Sequence, residues 1–233
     1  MKRLYQLEPI LDIREYEGFG SVDSNASVRG TGHVIFDFSP DSIEDRNWQV
    51  PRLSKLWKPH PVTGKVRPWN DYPCLNLEIP AFSRRAVDAL RDLLEPHGEL
   101  LPLVSSVGEY YAFNVTTIAD VLDHERSEID WTGEGRILAS TVKRFELLPN
   151  ADCPPICHLV ELMTEVFVTD IFVERIAEHR LNGFNAIPVW PLAPGEDWWE
   201  LEKARQRRRE QKARQWRRKT GGKVDEPPLE PLE

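Results

Sequence analysis

The sequence has no long apolar run and only three cysteines among its 233 residues. No stretch approaches the ~20 consecutive apolar residues that a membrane-spanning helix requires. The first residues include two basic side chains but no apolar segment behind them, so they do not make a secretion signal. Three cysteines fit a reducing compartment without a disulfide framework. We therefore expect a cytoplasmic protein with no membrane partner.

Motifs that carry catalytic chemistry are also scarce. Gly18–Gly20 and Gly30–Gly32 lack the third glycine and the lysine of phosphate-binding loops. The sequence contains neither Gly-x-Ser-x-Gly nor His-Glu-x-x-His, and its six histidines are scattered singly. Cys153, Cys157 and His158 lack the fourth ligand that a structural zinc needs. These gaps predict a protein that is not an enzyme and that holds no cofactor or metal.

Charge is present in abundance and is unevenly distributed. Residues 203–219 contain ten Lys or Arg and one acid, whereas residues 220–233 contain one Lys and four acids. Because the whole chain carries a net charge of -8, these counts leave -14 for residues 1–202. A body of that sign repels nucleic acid and attracts basic partners. Nucleic-acid binding is expected, if anywhere, only through the basic segment.

The residue pattern predicts an α+β fold with a mixed, mainly antiparallel sheet and few helices, because strands and helices alternate without a βαβ rhythm. Ser83 precedes Val87, Leu90 and Leu94 at helical spacing, and a second helix begins at Thr169 or Asp170 and ends before Asn182-Gly183. The predicted strands are His33–Phe38, Cys74–Ile79, Glu99–Val104, Tyr110–Val115, Ile137–Leu148, Leu159–Met163, Val166–Val168 and Phe184–Trp190.

Three regions follow from the composition. Residues 1–195 are expected to form one α+β domain, residues 196–219 an extended basic helix, and residues 220–233 a disordered tail. The basic helix could be a solvated arm, a clamp that returns to the acidic body or to an acidic patch of a partner, or a nucleic-acid contact. Its clamp residues would be Arg207, Arg208 and Arg209.

The segment from Asp120 to Asp130 concentrates carboxylates, an imidazole and a hydroxyl in eleven residues. One interpretation is a metal-dependent hydrolase or nuclease that uses its first residues, Asp120, Asp123, His124 and Glu125. The other is a charged turn that contacts a partner, because adjacent side chains point in different directions and rarely converge. The contact residues would be Asp120, Asp123, Glu125, Glu128 and Asp130, together with Trp57 and Trp69 from a proline-rich aromatic loop.

Residues 75–190 resemble the immunity protein 11 family of bacterial polymorphic toxin systems. The resemblance lies in the order and spacing of Pro80–Leu90, Gly98–Leu103, Tyr110–Val115, Asp120–Asp123, Ser127, Val166–Asp170, Phe172 and Leu181–Phe184. It implies a protein that is encoded beside a toxin and protects the producing cell by binding that toxin, without catalytic residues of its own. Since many such toxins are nucleases with basic clefts, the acidic body could occupy the cleft as a phosphate mimic.

Overall fold

A computed structural model describes the chain over the following residues: 3–10, 20–21, 50–63, 66, 70–75, 79–132, 138–193, 195–205, 207–208 and 211. The predicted strand His33–Phe38 and the residues Trp69 and Arg209 lie outside this set, as do the tail and most of the basic segment. No helix within the described ranges is long and apolar enough to cross a membrane.

The described part is an α+β structure in which strands dominate. Its strands are β1 (Leu4–Pro9), β2 (Gly20–Ser21), β3 (His60–Thr63), β4 (Ala81–Ser83), β5 (Gly98–Val104), β6 (Tyr110–Val115), β7 (Ile118–Ala119), β8 (Glu128–Thr132), β9 (Leu138–Arg144), β10 (Ile156–Leu159), β11 (Leu162–Thr169) and β12 (Phe184–Trp190). Helix α1 is Arg84–Leu94 and helix α2 is Asp170–Glu178. A further helical segment covers residues 198–205, 207–208 and 211. The predicted fold class is confirmed.

The strands form two sheets and a separate pair. One sheet has the order β12-β1-β11-β10-β7 and the other the order β2-β3-β5-β6-β4, while β8 pairs with β9. The neighbours are antiparallel except β10 with β7 and β3 with β5. Strand β1 lies between β11 and β12, which come from the other end of the described sequence.

Strand β10 and the second half of β11 are buried on both faces of the first sheet, and their successive side chains, which point to opposite sides, pack in different clusters. Val166 and Val168 of β11 pack with α1 and α2 in one apolar cluster, and Phe167 packs in the other. A third cluster lies under the second sheet and includes Leu101 and Tyr110. The long apolar runs of β10 and β11 therefore fill two cores.

Helix α1 begins as the sequence predicts. The Ser83 hydroxyl accepts a hydrogen bond from the Ala86 amide at 3.1 Å and so satisfies one free donor of the first turn. Val87, Leu90 and Leu94 are buried, which is the expected face. The prediction for α2 is only partly right. Thr169 occupies the predicted N-cap position, but its side chain makes no cap bond; Asp170, at the first position of the helix, accepts hydrogen bonds from the Arg3 amide and the Tyr5 hydroxyl.

Two predicted strands are wrong in detail. Of the predicted strand Cys74–Ile79, residues 76–78 lie outside the described set; Leu75 and Ile79 form an antiparallel bridge with each other, and Cys74 has a left-handed backbone (φ 53°). The run Leu159–Met163 is broken by a turn at residues 160 and 161, which separates β10 from β11. Apolar composition alone does not reveal such reversals, because both arms of a tight turn can be buried.

Candidate functional site

Residues 120–130, here called the acidic turn, lead into β8 and include its first residues. Asp123 fixes the backbone of this turn. Its Oδ1 accepts hydrogen bonds from the amides of Glu125 and Arg126, both at 3.1 Å, and its carbonyl accepts one from Ser127 at 2.8 Å. The Arg126 guanidinium donates to Asp123 Oδ2 at 2.6 Å and lowers the pKa of that carboxyl. Asp123, a predicted contact residue, therefore stabilises the backbone conformation of the turn.

A second bond ties this turn to the first sheet. His124 Nε2 lies 2.5 Å from Oε1 of Glu161, in the turn between β10 and β11, and the His124 ring meets Trp131 edge-on with 5.1 Å between ring centroids. The Glu161 side chain is 1% exposed and that of His124 is 31% exposed. Burial raises the pKa of Glu161, and the hydrogen bond from His124 partly offsets that rise. The acidic turn is thus anchored at its base.

The remaining carboxylates of the segment face outward. Asp130 forms an ion pair with Lys143 at 2.8 Å. Asp120, Glu125 and Glu128 are exposed, and their side chains form no hydrogen bond or ion pair with another described residue. Carboxylates that form no ion pair with a described residue are available to an external cation, although Glu128 also acts electrostatically on Lys143. The segment therefore presents negative charge on a backbone that is already fixed.

The geometry does not assemble the metal-ligand cluster that the hydrolase interpretation requires. Asp123 is held by Arg126 and two amides, and His124 is directed to Glu161. In the ranges that the structure describes, no three His, Cys, Asp or Glu side chains are grouped so that they could hold a metal ion. The two buried cysteines of the Cys153–His158 stretch do not form a disulfide.

The aromatic loop has the opposite charge from the acidic turn. Trp57 is half-buried against the third cluster, and its indole N–H donates to the Pro102 carbonyl at 2.9 Å. Arg52, Lys55 and Lys58 are exposed, and residues 50–59 contain no acid. This loop and the acidic turn were both predicted as toxin contacts, yet a single basic cleft would repel one of them. The two surfaces suit different partners.

The basic helical segment is docked through its first turn. Trp198 is buried and meets Phe145 edge-on at 5.6 Å, and the Lys203 ammonium lies 5.5 Å from the centre of the Trp199 ring. Arg207 donates to the Lys203 carbonyl at 3.1 Å, which lies on its own helix. Arg208 is exposed. The clamp function stays a prediction.

Sequence reasoning missed the buried acids that hold these surfaces in place. Glu161 supports the acidic turn, Glu99 supports the aromatic loop, and Asp71 joins the start of α1 to the chain after α2. Glu161 could have been noticed as the lone acid between Cys157 and Met163, within an otherwise apolar run. An ionisable side chain in such a run is buried at a cost and needs a partner.

No known protein family matches this chain, and no characterised protein matches it in sequence.

Proposed function

We propose that this protein is an immunity protein that binds a cognate bacterial toxin stoichiometrically and neutralises it through an acidic surface. One observation carries the proposal: Asp120, Glu125 and Glu128 are exposed without an ion pair among the described residues, on a segment that Asp123 and the His124–Glu161 bond hold in place. The resemblance of residues 75–190 to the immunity protein 11 family, noted from the sequence pattern, implies the same function, although no family model matches the chain.

A fixed turn suits an inhibitor that must bind tightly. Binding costs less when the contact residues are already ordered, and unpaired surface charge accelerates encounter with a partner of opposite sign. The net charge of -14 on residues 1–202 adds a long-range field in the same direction. A toxin with a basic substrate cleft, such as a nuclease, is the partner class that this charge favours. The proposal includes the cytoplasm as the site of action.

The test uses the product of the gene next to the one for this chain, which the proposal expects to be the toxin. Isothermal calorimetry at increasing salt should give saturable binding that weakens steeply, because exposed charges are screened. The double variant Glu125→Lys/Glu128→Lys should lose about 100-fold in affinity, since each reversal replaces an attraction by a repulsion. Glu174→Lys/Glu178→Lys on α2 makes the same change in net charge away from the turn and is the matched control.

Two results would count against the proposal. Equal losses in the two double variants would mean that only net charge matters and that the acidic turn is not the contact. Turnover of a substrate by the purified chain, abolished by His124→Ala, would instead assign the His124–Glu161 pair to acid–base chemistry.

A further inference from the structure

The loop from Pro51 to Lys58, here the basic loop, is held rigidly by the protein body. Glu99 is 6% exposed and accepts hydrogen bonds from the Leu53 amide and the Ser54 hydroxyl, both at 2.6 Å. The Leu56 and Trp57 amides both donate to the Leu53 carbonyl, at 2.9 and 2.8 Å. A buried carboxylate with several donors is a strong anchor. Because these hydrogen bonds already hold the loop, it loses little conformational entropy when it binds a partner.

The tip of this rigid loop is apolar. Leu56 is 82% exposed, more than any other large apolar side chain in the described residues. Trp57 lies next to it, and Val104, also exposed, follows two residues after the Pro102 that Trp57 contacts. A single exposed leucine is ordinary on a protein surface, but an apolar tip beside a tryptophan on a fixed backbone is typical of a contact surface.

Among the described residues, no ion pair neutralises the cations around the tip. Arg52, Lys55 and Lys58 form no ion pair with another described residue, whereas Lys143 and Arg175 are paired with aspartates. The partner that this surface fits is an acidic segment that also carries apolar side chains.

The same chain contains a segment of that chemistry. Residues 225–233 read Asp-Glu-Pro-Pro-Leu-Glu-Pro-Leu-Glu, with four carboxylates, two leucines and three prolines. Prolines restrict the unbound chain, so less conformational entropy is lost when it binds. Aromatic side chains such as Trp57 are the usual platform for proline-rich segments. We infer that residues 225–233 bind the basic loop of the same chain.

The linker sets how far the segment can reach. The last described helical residue is residue 211. With residues 212–219 continuing the expected helix at ~1.5 Å per residue and residues 220–225 extended at ~3.3 Å per residue, the segment begins within about 32 Å of residue 211. A compact body of this size has a radius of gyration of about 16 Å, so that reach covers the near side of its surface. Tethering also gives the segment an effective concentration of order 1 mM, which favours a contact of modest intrinsic affinity.

The neighbouring basic segment, residues 203–219, is the competing site, and its sequence fits the tail segment less well. Beyond Arg205 it offers only Ala213 and Trp216 as apolar residues up to residue 219. Lys203 is paired with Glu200, and Arg207 bonds to its own helix. Leu229 and Leu232 would thus find little apolar surface there, whereas Leu56 and Trp57 provide it on the basic loop.

Zero-length carbodiimide cross-linking of the full chain, read by mass spectrometry, tests the inference directly, because it joins a lysine amine only to a carboxylate in contact. We expect links from Lys55 and Lys58 to the carboxylates of residues 225–233. In an equal mixture of ¹⁴N- and ¹⁵N-labelled protein, the linked peptides should be of one label, as a contact within one chain requires. The links should decline with added salt.

A leucine variant separates specific docking from diffuse attraction. Leu229→Asp/Leu232→Asp makes the segment more acidic but removes its apolar side chains, and it should reduce the Lys55 and Lys58 links at least about tenfold. Leu148→Asp, at another exposed leucine, is the control and should leave them unchanged. Links confined to Lys203, Lys212 or Lys219, links of mixed label, no links, or links that survive the leucine variant would each overturn the inference.

Discussion

His124 Nε2 lies 2.5 Å from Glu161 Oε1, although 37 residues separate the two in the sequence. Glu161 is almost fully buried, and its Oε2 has no hydrogen-bond partner in the described structure, so His124 is what compensates its burial. The pair joins the acidic turn to the turn between β10 and β11. Both the stability of the protein and the shape of the proposed contact surface depend on it.

We therefore expect His124→Ala to lower the free energy of unfolding by about 2 kcal/mol at pH 7, because it leaves a buried carboxyl without its donor. Glu161→Gln should cost less, since the amide oxygen can still accept from the imidazole. Urea denaturation measures both. Equal stability of His124→Ala and the wild type would show that the pair does not hold the turn.

The burial of the His158 side chain should make the stability of the protein depend on pH. This side chain is buried, and burial lowers its pKa from the ordinary 6.5 to about 4, although the Glu165 carbonyl bonded to Nδ1 partly offsets this. Because the unfolded chain binds the proton more readily between these values, stability is complete above pH 6.5 and is lost as the pH falls towards 4. The loss should reach about 3 kcal/mol.

Urea denaturation from pH 7 to pH 4 checks this dependence. His158→Asn retains a donor near the position of Nδ1 but does not titrate, so its stability should depend less on pH over the same range. An identical pH profile for the variant would assign the acid sensitivity to other groups.

The three cysteines should be unreactive in the folded protein. Cys74, Cys153 and Cys157 are buried and form no disulfide, and burial raises the pKa of Cys74 and of Cys157 to about 12. Since the thiolate is the nucleophile, Ellman's reagent at pH 8 should find all three thiols only after unfolding in guanidinium chloride. Rapid labelling of the native protein would contradict this burial.

Asp71 should be a sensitive position. Its side chain is 4% exposed and accepts from the Ser83 hydroxyl at 2.6 Å, from the Asn182 amide at 2.8 Å and from the Arg85 guanidinium. Asp71→Ala leaves these donors without an acceptor and should lower the free energy of unfolding by about 3 kcal/mol. Asp88→Ala, which removes an exposed acid from α1, should change stability little, because solvent screens its ion pairs. Similar midpoints in thermal unfolding would refute the assignment of Asp71 as a structural hub.

The features predicted correctly from the sequence depend on local chemistry. Helix α1 follows from Ser83 and the apolar spacing behind it, and the β5–β6 pair follows from two strand-like runs with Gly108 between them. These signals act within a few residues. The sheet orders depend on pairings between distant residues, such as Leu4 with Trp190, for which the sequence pattern carries no sign.

The same distinction holds for the site. The exposed carboxylates of the acidic turn are visible in the sequence because they are adjacent to one another. Their support by Glu161 and the support of the basic loop by Glu99 are not visible, since each partner lies 37 or more residues away. The opposite charges of the acidic turn and the basic loop are visible in the sequence, because Arg52, Lys55 and Lys58 lie beside Trp57.

Strand β1 lies inside its sheet, between β12 and β11, and this has a consequence for biosynthesis. Leu4 pairs with Thr169 on one side and with Trp190 on the other. Both neighbours of β1 are therefore synthesised long after β1 itself. At ~5–20 residues per second, the early strand would spend on the order of ten seconds or more without its neighbours. Chaperone demand during translation should accordingly be concentrated on this first segment, and a circular permutant that begins between β9 and β10 would shorten the wait.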